Sequence, residues 1–211
     1  MELLEHDGAY VISLAGQELM HSRSNASESL LGSLGVDRLD PETAGRVLIG
    51  GLGLGYTLKS VLASVGENAT VEVVEMVTEV IEWNRVHLNR LNGALLDDPR
   101  VEINTADVAR LIQEAEPERY DVILLDVDNG PSPVMSTGTP SLYSRTGIRS
   151  IARALKQDGR VVVWSAGQDQ GFEKRLGKAG FRVEVVPAKA HEGAKGASYL
   201  LYLADLARPR S

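Results

Sequence analysis

Three carboxylates close, or lie just beyond, short apolar runs in this chain. Glu75 ends Thr70-Val-Glu-Val-Val, Asp107 lies just past Val101-Glu-Ile-Asn, and Asp126 ends Tyr120-Asp-Val-Ile-Leu-Leu. A fourth run, Val47-Leu-Ile49, leads into Gly50, Gly51, Gly53 and Gly55. Such a turn reaches dihedrals closed to other residues and lets a ligand approach the backbone. The helical spacing that follows adds free N–H groups at a helix start. Together they make a nucleotide-binding corner. Glu75, 20 positions after Gly55, can accept hydrogen bonds from both hydroxyls of a ribose. Asp107 can accept from an adenine amino group, or cap the helix it precedes. Asp126 has Asp128 two residues on, and two adjacent carboxylates can raise one pKa and so make a proton acceptor. The same stretch, Asp126-Val-Asp-Asn-Gly-Pro131, also consists largely of turn formers.

The elements that must position these groups alternate regularly from Arg46 onward, as in a parallel α/β sheet. Strands are expected at 46–50, 70–75, 101–104, 120–126 and 160–164, and helices at 55–65, 77–91, 108–115, 142–156 and 168–179. The helix at 77–91 carries Val80, Ile81, Asn84 and Leu88 down one side. Two final strands, 181–186 and 198–204, form a long hairpin around a loop rich in glycine, lysine and alanine. Ahead of this unit, residues 9–21 read as a β-hairpin turning at Ala15-Gly16. A short helix through Leu30, Leu31 and Leu34 follows, capped by Ser24 or Asn25.

Composition excludes several classes of function. The chain has 211 residues and no cysteine, so disulfides, thiolate zinc sites and cysteine nucleophiles are out. Its four histidines, His6, His21, His87 and His191, show no metal-ligand spacing. A net charge of −7 without a long basic run gives no support to nucleic-acid binding. No apolar stretch approaches a membrane span, and the first residues are acidic where a signal peptide is basic. A cytoplasmic protein is expected, acting on a small molecule, with no nucleic-acid or membrane partner; the homodimeric state is left open.

The glycine spacing, Gly51-x-Gly53-x-Gly55, departs from the dinucleotide G-x-G-x-x-G and resembles the first motif of class I S-adenosylmethionine-dependent methyltransferases. That resemblance implies S-adenosylmethionine as cofactor and a Rossmann-like sheet of seven strands with the last antiparallel. It also places Asp126 where the sulfonium sits. Residues 42–211 then form the binding domain and residues 1–41 a lid of β-hairpin and short helix.

A more specific resemblance lies in Tyr120-Asp-Val-Ile-Leu-Leu-Asp126, Leu142-Tyr143-Ser144 and the N-terminal hairpin. These resemble spermidine synthases, which bind decarboxylated S-adenosylmethionine and a polyamine. The resemblance implies Glu75 as the ribose acid, Asp107 as the adenine-side acid, Asp126 as the proton-accepting aspartate and Gln17 as the nucleoside-side glutamine. Three stretches depart from the pattern. The family's G-G-G-D-G has become Gly50-Gly-Leu-Gly-Leu-Gly55, without the acid that holds the aminopropyl amine. The acidic, aromatic gatekeeping segment reads Ser22-Arg-Ser-Asn-Ala-Ser-Glu28, retaining only Glu28. After strand four, Asp126-Val-Asp-Asn-Gly-Pro131 replaces D-S-S/T-D-P. A polyamine dication needs carboxylates, and Arg23 would repel it.

The altered amine-recognition set leads to an expectation of methyl transfer from S-adenosylmethionine to a small acceptor. Asp126 is the expected base and His21 the second candidate. Asp128, Arg23, Tyr143 and Trp164 are expected beside the acceptor, Trp164 as a wall. Aminopropyl transfer and non-catalytic nucleoside binding are the two rival readings.

Overall fold

A computed structural model describes residues 1–127, 130–131 and 142–207. The main sheet has seven strands: β4 (Arg46–Gly50), β5 (Thr70–Glu75), β6 (Val101–Thr105), β7 (Tyr120–Leu125), β8 (Leu155–Ser165), β9 (Phe181–Ala188) and β10 (Tyr199–Leu206). Their order is β6-β5-β4-β7-β8-β10-β9. β4 to β8 run parallel, and β10 pairs antiparallel with both β8 and β9. The expected seven-stranded architecture with an inserted antiparallel strand is therefore present. The central strands read as apolar runs because helices cover both faces.

On one face lie α1 (Ala26–Val36), α2 (Tyr56–Leu62) and α3 (Thr78–Val86), packing Leu31, Leu58, Val61, Val80 and Ile81 onto Ile49, Val73 and Leu124. On the other lie α5 (Val108–Glu114), α6 (Arg145–Ala154) and α7 (Gln170–Lys178), packing Ile112, Ile151, Phe172 and Leu176 onto Ile123 and Val163. Burying a leucine-sized side chain stabilises by about 1.5–3 kcal/mol, so this two-sided core fixes the strand ends that carry the acids.

Three local expectations need correction. The N-terminal unit is a three-stranded antiparallel sheet, not a hairpin: β1 (Glu2–His6) joins β2 (Ala9–Leu14) and β3 (Gln17–His21). Asp7 and Gly8 turn between β1 and β2, both at positive φ, the two-residue hairpin chemistry of an Asp-Gly pair. The single helix expected at 77–91 is broken after Val86, with α4 (Asn89–Asn92) resuming beyond a fully buried Leu88. Asn25 does occupy the position before α1, but its side chain caps nothing and donates instead to the Ser22 carbonyl at 2.8 Å.

The small sheet docks on the large domain through one apolar cluster. Tyr10 and Ile12 from β2 meet Leu54 of the glycine turn and Leu88, with Leu3, Met20 and Tyr56 packed around them. Tyr56 Oη donates to the Ser22 carbonyl at 2.8 Å, tying the chain between β3 and α1 to the start of α2.

Candidate active site

The glycine turn follows β4 and is held by both neighbouring strands. Gly51 N–H donates to the Val74 carbonyl at 2.9 Å, and Asp126 N–H donates to the Gly50 carbonyl at 2.9 Å. Gly51, Gly53 and Gly55 all have positive φ, which favours glycine. A Cβ at Gly51 would also collide with the Asp126 carbonyl oxygen, and one at Gly53 would lie 2.7 Å from Met20 Sδ.

Glu75 lies where the sequence puts it, at the end of β5 beside this turn. One carboxylate oxygen accepts from Leu52 N–H at 3.0 Å and the other from Val77 N–H at 2.8 Å. Each oxygen keeps a further lone pair. Ala106 N–H donates to the Glu75 carbonyl at 3.2 Å, bringing Asp107 next to that strand end. Asp107 caps α5, its Oδ1 accepting from Ala109 N–H at 2.8 Å.

Asp126 shares a cleft with Met20, Glu28, Leu52, Gly53, Leu54, Tyr56 and Thr57. The Thr57 hydroxyl lies 3.3 Å from Asp126 Oδ2 and equally far from the Glu28 carbonyl. Burial pushes the Asp126 carboxyl up to about 7; the Glu28 carboxylate adds to the rise and Thr57 opposes it. Burial raises the Glu28 carboxyl too, against its bond from the Ser27 hydroxyl. Two carboxyls in one desolvated cleft can bind a cation or exchange a proton near neutral pH.

The other expected residues are spread more widely. Gln17 is exposed at the tip of the β2–β3 hairpin, and Arg23 is exposed beyond β3. His21 neighbours Met20, and His21 Nδ1 accepts from Arg23 N–H at 3.0 Å; Met20, not His21, lines the cleft. Tyr143 is buried edge-on against Phe172, its hydroxyl 3.5 Å from the Val127 carbonyl beside Asp126. Trp164 is half-buried against Tyr199 with ring centres 4.7 Å apart, among residues of the α1 face. Asp128 lies outside the described residues. Sequence reasoning left Met20, Tyr56 and Thr57 out of the site. Thr57 had a usable signal: it follows the glycine turn by two residues, on the first turn of α2.

The model of the spermine/spermidine synthase domain matches residues 35–176. The chain belongs to the spermine/spermidine synthase family. It is 35% identical over 121 residues to polyamine aminopropyltransferase 2 of Pseudomonas aeruginosa, covering 56% of this chain and 32% of that protein. It is 32% identical over 126 residues to the polyamine aminopropyltransferase of Korarchaeum cryptofilum, covering 59% of this chain and 36% of that one. The matches thus span about a third of these relatives' length. Among solved structures, a probable spermidine synthase from Corynebacterium glutamicum superposes with a TM-score of 0.69 at 16% identity, over 100% of this chain and 78% of that one, a likeness of fold.

These findings overturn the expectation of methyl transfer. The curated relatives above are named polyamine aminopropyltransferases, with putrescine N-methyltransferases of Nicotiana attenuata and Nicotiana tabacum matching more weakly at 30% identity, so the reading held as a rival fits these findings better. The expectation went astray by weighing the lost aspartate of the glycine turn above the rest of the chain. Among the described residues, no helix is long and apolar enough to cross a membrane.

Proposed function

We propose that the chain transfers an aminopropyl group from decarboxylated S-adenosylmethionine to a small amine. The observation that carries this reading is Asp126, a carboxyl poised near pH 7 at the end of β7, beside the glycine turn, in a chain of this family. The cradle suits the donor: Gly53 and Leu54 of the turn line the cleft beside Asp126, and their N–H groups have no partner among the described residues. In this reading Glu75 accepts from the ribose hydroxyls with its spare lone pairs, Asp107 lies on the adenine side, and Gln17 on the nucleoside side.

The acceptor nitrogen attacks the propyl carbon bonded to the sulfonium. The carbon–sulfur bond breaks, its electrons go to sulfur, and 5′-methylthioadenosine leaves. Holding the two partners in line supplies much of the rate. The acceptor nitrogen must shed a proton, and Asp126 takes it; a carboxylate with a pKa near 7 is a better base than an ordinary one. Glu28 stands beside it and balances the positive charge of the incoming amine. Tyr143, its hydroxyl 3.5 Å from the Val127 carbonyl, is assigned to the acceptor side in this reading.

The test is incubation with decarboxylated S-adenosylmethionine and a panel of monoamines and diamines, with mass spectrometry of both products. Release of 5′-methylthioadenosine with an acceptor heavier by one aminopropyl group is expected. Release of S-adenosylhomocysteine from the carboxylated donor, with no use of the decarboxylated one, would refute the reading. No turnover of either donor alongside tight nucleoside binding would favour a non-catalytic protein.

A further inference from the structure

Two asparagines lie beneath the glycine turn, and neither the fold nor the proposed chemistry accounts for them. Asn84 on α3 is 3% exposed, and Asn92 at the end of α4 is 4% exposed. Asn84 Nδ2 donates to the Gly53 carbonyl at 2.8 Å and to the Val80 carbonyl at 2.9 Å. Asn92 Nδ2 donates to the Leu54 carbonyl at 2.8 Å and to Asn84 Oδ1 at 3.1 Å. The turn sits hard on this pair: a Cβ at Gly55 would lie 2.6 Å from Asn92 Nδ2 and 3.0 Å from Asn84 Oδ1.

Buried amides are a costly way to join a helix to a loop. Each must be desolvated, and Asn92 Oδ1 finds no partner among the described residues. Leucines of similar size would close the contact without that cost. The amides do something leucines cannot: they set the orientation of two peptide planes. In a planar trans peptide the carbonyl and the following N–H point opposite ways. With the Gly53 carbonyl drawn toward α3, the Leu54 N–H faces the other side. The N–H groups of Gly53 and Leu54 have no partner among the described residues, and both residues line the cleft.

We propose that Asn84 and Asn92 are positioning residues for the donor. By holding the Gly53 and Leu54 carbonyls away from the cleft, they fix the face that the turn presents to the donor's aminopropyl arm. The proposal rests on reading the turn as the donor site, and it makes α3 and α4 part of donor recognition without touching the donor.

The test uses Asn84→Leu and Asn92→Leu, titrated calorimetrically with decarboxylated S-adenosylmethionine and with 5′-methylthioadenosine, which lacks the arm. Each variant should bind the donor roughly three- to tenfold more weakly, the worth of about one hydrogen bond. The loss for 5′-methylthioadenosine should be smaller, so the ratio of the two affinities falls. A purely structural role would lower the melting temperature and leave that ratio unchanged, which would overturn the proposal. If Asn84→Leu fails to fold, Asn84→Asp keeps the size, removes the donor group and gives the same comparison. Should the wild-type protein bind neither ligand, the donor-site reading falls and takes this one with it. Should it bind both and the variants keep the wild-type ratio, only this proposal falls.

Discussion

Asp126→Asn should make the protein more stable and less active at once, and the size of both effects follows from the cleft. Burial, with Glu28 beside it, raises the Asp126 pKa from 3.8 to about 7. That shift of about three units, at about 1.4 kcal/mol each, is up to ~4 kcal/mol between the two protonation states. The sign follows from linkage. The folded-state pKa lies above the unfolded one, so the folded protein binds the extra proton between about pH 4 and 7. The stabilisation is complete below the unfolded pKa and is lost as pH rises through 7. At pH 8 the wild-type protein therefore holds an ionised carboxylate in a site that disfavours it. Asparagine cannot ionise and removes the penalty. At about 2–4 °C per kcal/mol for a chain of this size, the variant should melt up to roughly 8–16 °C higher at pH 8. The gap should close as pH falls toward 4.

Thermal unfolding of both proteins from pH 4 to 8 reads the stability. Formation of 5′-methylthioadenosine reads the activity, which should fall by about 10²–10⁴-fold with donor affinity little changed. Parallel melting curves at every pH would show that Asp126 is not held near neutrality, and the base assignment would lose its physical ground. Full activity in the variant would leave Asp126 as a turn residue. Activity lost in proportion to donor affinity would make it a binding residue.

Glu28→Gln removes the neighbouring carboxylate that helps raise Asp126, so the acidic limb of the pH–rate profile should move to lower pH; an unmoved limb would uncouple the pair. Glu75→Ala should weaken nucleoside binding by on the order of 1–3 kcal/mol through the loss of a charged acceptor, and unchanged calorimetric affinity for 5′-methylthioadenosine would remove Glu75 from the site. Gly51→Ala should abolish donor binding and lower the melting temperature, because the new Cβ meets the Asp126 carbonyl at a positive φ; a variant that binds normally would show that the turn can yield.

The sequence made the sheet legible because its physical signal is strong. Val47-Leu-Ile49 and Val122-Ile-Leu-Leu125 are apolar on both sides, as only strands covered on two faces are. Glu75 and Asp126 were legible for the same reason, since each closes such a strand, whereas Asp107 lies two residues past the half-exposed β6, at the start of α5. The first strand was missed because Glu2-Leu-Leu-Glu-His6 packs only one side of a small sheet and stays largely exposed, so burial leaves little pattern in it. Asp7-Gly8 was the signal that could have exposed it. Glu28 and Thr57 could not be joined to Asp126 by any local pattern. They come from α1 and α2 and meet it only when α1 packs across α2 and the sheet. The break in the helix after Val86 leaves the periodicity of Val80, Ile81, Asn84 and Leu88 intact, so spacing alone cannot show it.

The lost aspartate of the glycine turn takes on a different meaning in three dimensions. In the resemblance to the family's glycine motif Leu54 takes the place of that acid, and it is 4% exposed, packed with Tyr10, Ile12 and Leu88. A carboxylate there would face an apolar cluster and be strongly disfavoured. The Leu54 side chain therefore serves contact with the N-terminal sheet, while its backbone still borders the cleft. Its neighbour Gly53 lies under Met20 of the same sheet. The turn is thus gripped by Asn84 and Asn92 on one side and by β2 and β3 on the other. Movement of the small sheet would have to move the turn, so in the proposed reading donor binding should depend on how residues 1–21 are seated. In the proposed aminopropyl transfer, the amine that such an aspartate would hold would find its charge partners across the cleft, where Asp126 and Glu28 are the two carboxylates that line it.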